Sequence, residues 1–239
     1  MTELTDYAKY REVKLSAVHS DGWLKRYLQI QKDGLTGHME VSGFPFNTVG
    51  WGGDKVDHIY GGAWWPYEQT GYWVDGAIRC AHLLRDKDLI EKAGKQIEFV
   101  LDHADADGYL GPDFLKPELG DGRWPHAVFF RAMAAHYLAT GDQRIPQAIA
   151  KHYLTESDPH SKARNVVNVE SMLWAYRETG EKRLLDLAVK AYEEYNKIHP
   201  EQDTTVENML SDRISTEHGV TFNEQAKLGA IMYLSLIHI

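Results

Sequence analysis

The stretch "PHAVFFRAMAAHYLATGDQRIPQA", Pro125 to Ala148, decides the fold. Up to Ala139 its apolar side chains point in nearly every direction around a helix. A helix of that kind has to be buried on all sides. Gly141 and Asp142 then make a turn, and a new helix begins.

The same punctuation recurs in "LLRDKDLIEKA" (83–93) and "YRETGEKRLLDLA" (176–188). Matching Arg85, Thr140 and Thr179 gives offsets of 55 and 39 residues, each the size of a helical hairpin plus a variable loop. "NVVNVESMLWAYRET" (165–179) is also apolar nearly all round.

The intervening helices are of another kind. In "DLIEKAGKQIEFVLDHA" the residues Ile90, Ala93, Ile97 and Val100 or Leu101 share a face, with Glu91, Lys92, Lys95 and Glu98 opposite. In "KRLLDLAVKAYEEYNKI", Leu184, Ala188, Ala191 and Tyr195 point inward while Lys190, Glu193, Glu194 and Lys197 face water. Buried helices alternating with amphipathic ones favour an inner ring walled by an outer ring over a solenoid. The expectation is an all-α fold, an incomplete (α/α)6 toroid of stacked hairpins with about eight helices in one domain over 1–239. Its inner helices would start together at one mouth.

A short strand in "REVKLSAV", within an extended segment 1–18, is expected to precede a first helix around Gly22–Gln31. The long Gly- and Asp-rich segments Val41–Gly62 and Asp105–Gly122 are expected to serve that mouth.

Composition narrows the function. The 239 residues are 43% hydrophobic and 26% charged, which is a folding chain rather than a disordered one. A net charge of −9 with scattered basic residues argues against nucleic acid as a partner. The single cysteine, Cys80, excludes an intrachain disulfide and a multi-cysteine metal cage, and is read as a small buried packer. A charged start without an apolar signal core, and no run of about 20 apolar residues, point to a soluble, cytoplasmic protein without a membrane partner. "DHADADGYLG" has a D-x-D-G fragment but lacks the other calcium ligands, so it is read as a turn.

The starts of the buried helices carry the candidate chemistry. In "GGAWWPYEQTGYWVDG" (61–76) and just beyond, Glu68, Tyr72, Asp75 and Arg79 share one helix face, and Trp73, Ala77, Cys80 and Leu84 share the other. Trp124 and His126 open the next buried helix, Asn165, Asn168 and Glu170 the one after, and His218, Asn223 and Glu224 the last. Aromatic faces stack on the C–H faces of sugars, while carboxylates, amides and imidazoles hold hydroxyls. The candidate substrate contacts are therefore Trp65, Glu68, Tyr72, Asp75, Trp124, His126, Glu170, His218 and Glu224, with Trp64 and Tyr67 in the same mouth and an oligosaccharide as partner. Each of them taken alone also fits a structural role. Glu170, in an apolar helix, has either to face a lumen or to sit in a buried salt bridge.

Five segments in order, "DGWLKRYLQIQKDGLTGHM", "YEQTGYWVDGAIRCAHLLRDKDLIEKA", "DGYLGP", "RWPHAVFFRAMAAHYLATGD" and "EHGVTFNEQAKLGAIMYL", resemble the catalytic domain of β-L-arabinofuranosidase-like proteins, glycoside hydrolase family 127 and its relatives. The resemblance runs from about Tyr10 to Leu234. It implies an (α/α)6 toroid followed by β-sandwich modules, and removal of a terminal sugar from plant-type glycans. It also implies substrate-facing roles for His126 and His218, and in the complete protein a zinc-bound cysteine nucleophile with a glutamate acid/base. That cysteine motif is expected beyond Ile239 and Cys80 does not match it, so the chain is expected to be an inactive fragment without cofactor or metal. The segment 235–239, standing where a Thr-Gly-Asp-like turn is due, is expected to be foreign to the domain. The alternatives are an unsaturated glucuronyl hydrolase or polysaccharide lyase on the same architecture, or a non-catalytic helical-repeat binding module.

Overall fold

The computed structural model describes residues 13–51, 65–116, 122–155 and 160–236. Their regular structure is helical throughout, without a strand. In chain order the helices are α1 (Gly22–Asp33), α2 (Leu35–His38), α3 (Trp65–Leu84), α4 (Lys87–Asp102), α5 (Trp124–Thr140), α6 (Arg144–Thr155), α7 (Asn168–Thr179), α8 (Lys182–Ile198), α9 (Val206–Met209), α10 (Gly219–Ala226) and α11 (Leu228–Leu236). Short 3-10 turns punctuate them.

The helices sort into two layers by the patterning that predicts them. α3 packs on α5, α5 on α7, and α7 on α11. Outside them, α4 packs on α3, α6 on α5 and α7, and α8 on α7, with α6 touching both α4 and α8. α5 buries Val128, Phe129, Phe130, Ala132 and Met133 in directions all around its axis. The outer helices bury one stripe each, Leu89, Ala93, Ile97 and Val100 in α4 and Leu184, Ala188, Ala191 and Tyr195 in α8. Val100 rather than Leu101 completes the α4 stripe.

The turns that join inner to outer helices share one mechanism. Arg85, Gly141 and Gly180 follow the inner helices with φ of 56°, 76° and 75°. Each is followed by an acid that caps the next helix: Asp86 accepts from the Leu89 amide, Asp142 from Arg144 and Glu181 from Arg183. The equivalent of Thr140 and Thr179 is thus Leu84, one residue before the Arg85 suggested by sequence matching.

The expected N-terminal strand is replaced, over its described part, by a 3-10 turn at Leu15–Ala17. With no second strand to pair with among the described residues, an extended segment would leave its backbone groups unmatched. α1 starts where expected, with Asp21 accepting from the Gly22 amide, and Ser20 ties its approach to the Leu83 carbonyl. It leaves a bare apolar row, Trp23, Tyr27 and Ile30, which are 72%, 53% and 67% exposed.

The described parts of the two long loops fold inward. Trp51 is fully buried, donates from its indole to the Tyr67 carbonyl and stacks on Phe129, while Leu110 and Leu115 enter the core. Of the segment 235–239, Ser235 and Leu236 continue α11, and the remainder lies outside the described residues, as do Trp64 and residues 1–12. No helix among the described residues is long and apolar enough to cross a membrane.

Candidate functional site

The α3 face predicted to be polar is the floor of a charged cluster. Asp75 Oδ1 accepts from Arg79 Nε at 2.8 Å, one turn further along the helix. From α5, Arg131 reaches across, its Nε 3.8 Å from Asp75 Oδ2 and its Nη1 donating to Glu224 Oε1 of α10 at 3.0 Å. The first of these contacts is an ion pair too long for a hydrogen bond. Lys227, just past α10, joins Glu224 Oε2 and Glu170 Oε2 of α7, each at 2.7 Å.

The second half of the cluster is aromatic. Trp124, the first residue of α5, donates from Nε1 to Glu68 Oε1 at 2.6 Å. The indole packs with Val128, Val167 and Tyr72, while the Arg164 guanidinium lies over its ring, 4.3 Å from the centroid. Arg164 Nη2 is also 3.5 Å from Glu68 Oε1. Tyr72 links the halves, for Arg131 lies 6.0 Å over its ring. Six of the nine predicted contacts, Glu68, Tyr72, Asp75, Trp124, Glu170 and Glu224, thus meet in one network drawn from four helices.

Electrostatics set the protonation states there. Burial alone would raise the Glu224 carboxyl, but hydrogen bonds from Lys227 and Arg131 outweigh it and hold the group below its ordinary value. Burial would likewise lower Lys227, and the Glu170 and Glu224 carboxylates overturn it, keeping the ammonium charged. Burial, followed by the nearby Glu68 carboxylate, pushes Tyr72 upward and keeps its phenol neutral. Glu224 is therefore held as an acceptor, the wrong state for donating a proton to a leaving group.

The remaining predicted contacts lie elsewhere. His126 is fully buried and donates from Nε2 to the Leu110 carbonyl at 3.0 Å. Its ring stacks on His152 and meets Trp51 edge-on. Its place one residue past Pro125 turns it away from Trp124 and into the core. Burial, reinforced by the Arg123 charge, lowers its pKa well below the ordinary histidine value. His218 is exposed at the start of α10. Trp65 opens α3, half-buried and three residues before Glu68, and Tyr67 is fully buried against Phe114. Of the polar residues beside Glu170, Asn168 is structural, accepting from Tyr153 and donating to the Arg123 and Asn165 carbonyls.

Three cluster members escaped the sequence reading: Arg131, Arg164 and Lys227. Arg131 carried the same signal as Glu170, a charge inside an apolar helix, and the two lie in one network for that reason. Lys227 sits three residues after Glu224, a spacing at which helical side chains meet. Arg164 lies in a 3-10 turn, Ala163–Val167, where no periodicity marks it.

A cleft of about 270 Å³ lies beside the cluster's α10, lined by Asp203, Arg213, Ser215 and Phe222 among others. It contains none of the cluster residues, and Asp203 in it is committed to the loop, accepting from the Thr216 and Glu217 amides and pairing with Arg213. The candidate site is therefore the charged cluster, where aromatic and ionisable groups converge. Cys80 does not fit a zinc thiolate: it is buried between α1 and α3, its Sγ donates to the Leu28 carbonyl, and burial pushes the thiol up. Among the described residues no group of three or more His, Cys, Asp or Glu is arranged to hold a metal.

Comparison with known proteins matched no family model, no curated protein and no solved structure.

Proposed function

We propose that this cluster is the sugar-binding mouth of a carbohydrate-active α/α domain of the family 127 glycoside hydrolase type, with the inner helices α3, α5, α7 and α11 forming part of a toroid. The observation that carries the reading is the Trp124–Glu68 pair beside Tyr72. Trp124 is buried and braces Glu68, while Tyr72 and Glu170 are the partly exposed ring and acceptor that a sugar at this mouth would meet. Glu170 supports it. The side chain is 43% exposed, so it is neither an interior charge nor a lone surface one, and it faces the same water as Glu224 through Lys227.

In this reading the chain's own residues bind and orient. Tyr72 offers a ring to a sugar face, Glu170 accepts from hydroxyls, Trp124 holds Glu68 at the edge of the mouth, and Arg131 and Lys227 keep Glu224 charged. Nothing in the cluster is assigned as nucleophile or proton donor, and no step is routed through zinc.

The test is calorimetric titration of the chain with L-arabinose and arabinose oligosaccharides, with glucuronate in parallel. Glu68→Gln, which keeps an acceptor for Trp124 but loses the charge, should weaken arabinose binding about tenfold or more while leaving the melting temperature nearly unchanged. Earlier melting with unchanged affinity would make Glu68 structural. Preference for glucuronate would favour the uronate-processing enzymes instead.

A further inference from the structure

We propose that the bare row on α1 is the contact through which two copies of this chain pair, antiparallel about a two-fold axis beside Tyr27. The pairing stands apart from the carbohydrate reading and needs nothing from it.

Trp23, Tyr27 and Ile30 fall at i, i+4 and i+7, so they share one side of a helix that packs on α2 and α3. Leu24, 36% exposed, widens the row, and none of the twelve residues of α1 is buried. A whole aromatic side chain offers about 150–250 Å². On that scale the uncovered parts of these four side chains amount to about 500 Å² per copy, or about 1,000 Å² for a pair, which reaches the size at which a specific contact between proteins begins. Contacts of that size are weak, so the expected dissociation constant is about 10–100 µM.

Charge fixes the arrangement. Arg26 and Asp33, seven residues apart, lie on one flank of the row, the cation toward its start and the anion at its end. Asp33 is steadied there by Gln29, whose Nε2 donates to Oδ1 at 3.0 Å. A parallel pairing would set this flank against the uncharged one, where Leu24 and Gln31 lie. Turning the second copy end for end brings its Asp33 toward Arg26 and its Arg26 toward Asp33, with Trp23 against the Ile30 of the second copy and the two Tyr27 side chains meeting in the middle. Such a contact is self-complementary and closes at two copies. An anionic membrane would instead select basic residues along the whole flank, and it would meet a chain of net charge −9.

Sedimentation equilibrium of the whole chain tests this, with Trp23→Lys, Arg26→Asp and the swap Arg26→Asp/Asp33→Arg. Wild type should pass from monomer to dimer with nothing larger, and Trp23→Lys should weaken pairing about tenfold or more. Arg26→Asp should weaken it about threefold to tenfold, through two repulsive pairs, and the swap should restore it. Tyr27→Cys should give a disulfide-linked pair under mild oxidation, whereas Val41→Cys, exposed but off the row, should not. Wild type that stays monomeric at about 1 mM, or that grows past two copies, overturns the proposal, and so does a swap that fails to restore pairing. A monomer that instead sediments with vesicles of phosphatidylserine and phosphatidylcholine assigns the row to a membrane and overturns it as well. None of these measurements involves a sugar, so the carbohydrate reading stands or falls on its own titration.

Discussion

Arg85 stands where the two equivalent turns have glycine, yet its φ is 56° and its side chain is exposed. A left-handed backbone is costly for any residue with a Cβ, and glycine removes that cost at some expense in unfolded-state entropy. Arg85→Gly should therefore stabilise the protein by about 0.5–1 kcal/mol, read as a higher denaturation midpoint at constant m-value. A lower midpoint would mean that the arginine side chain makes up the difference. His126 carries the opposite lesson about single residues. Its position at a helix start beside Trp124 is the same sequence signal that located Glu68 and Glu224, but a neutral imidazole can be buried with one hydrogen bond to a carbonyl, whereas buried Glu68 is met by Trp124 and Arg164. His218, the same residue type at another helix start, is exposed, so the partners a position meets across the fold separate the two, and no spacing rule contains that information.

Helices were legible where their patterning was strong. The four residues read as the inward stripe of α8 are all buried, joined by Leu185, and α5, apolar nearly all round, buries side chains on several sides. What lay between helices was not legible, because the partners there are distant in sequence. The connection from α8 to α10 is the clearest case. Tyr195 Oη of α8 lies 2.7 Å from Thr204 Oγ1, Thr204 donates to Gln225 Oε1 of α10 at 2.8 Å, and Gln225 passes its amide to Ala163. This buried relay fixes the turn that carries Arg164. Gln225→Ala should then speed amide hydrogen exchange at 163–167 while α4 and α6 keep wild-type protection. Uniform acceleration across the chain would show that the relay supports global stability instead. Tyr195→Phe, which removes one buried hydroxyl and leaves the ring, should cost only about 1 kcal/mol.

At the scale of the molecule, neutral histidines in the core tie stability to pH. His126 and His152 are fully buried and their pKa values fall well below the ordinary one, through burial first and then through their neighbours Arg123, His160 and, for His152, His126. The His152 Nδ1 meanwhile accepts from the Leu110 amide. Below the unfolded histidine value of about 6.5 the unfolded chain takes up protons that the native state refuses, so stability should fall as pH drops through that value. Glu217 acts with the opposite sign. Burial and Asp203 raise its pKa, so its share of stability is lost as pH rises above the ordinary carboxylate value of about 4.3. Denaturant midpoints should decline between about pH 7.5 and 5.5, and His152→Asn, which keeps an acceptor near Leu110, should flatten the decline. A flat wild-type profile over that range would contradict this account. The bare row on α1 has a bearing on every such experiment. Trp23, Tyr27 and Ile30 give the protein a sticky ridge, so it should be retained on phenyl resin at modest ammonium sulfate and scatter more light as it is concentrated. Trp23→Lys should elute early and stay clear, which would make it the working background for the titrations.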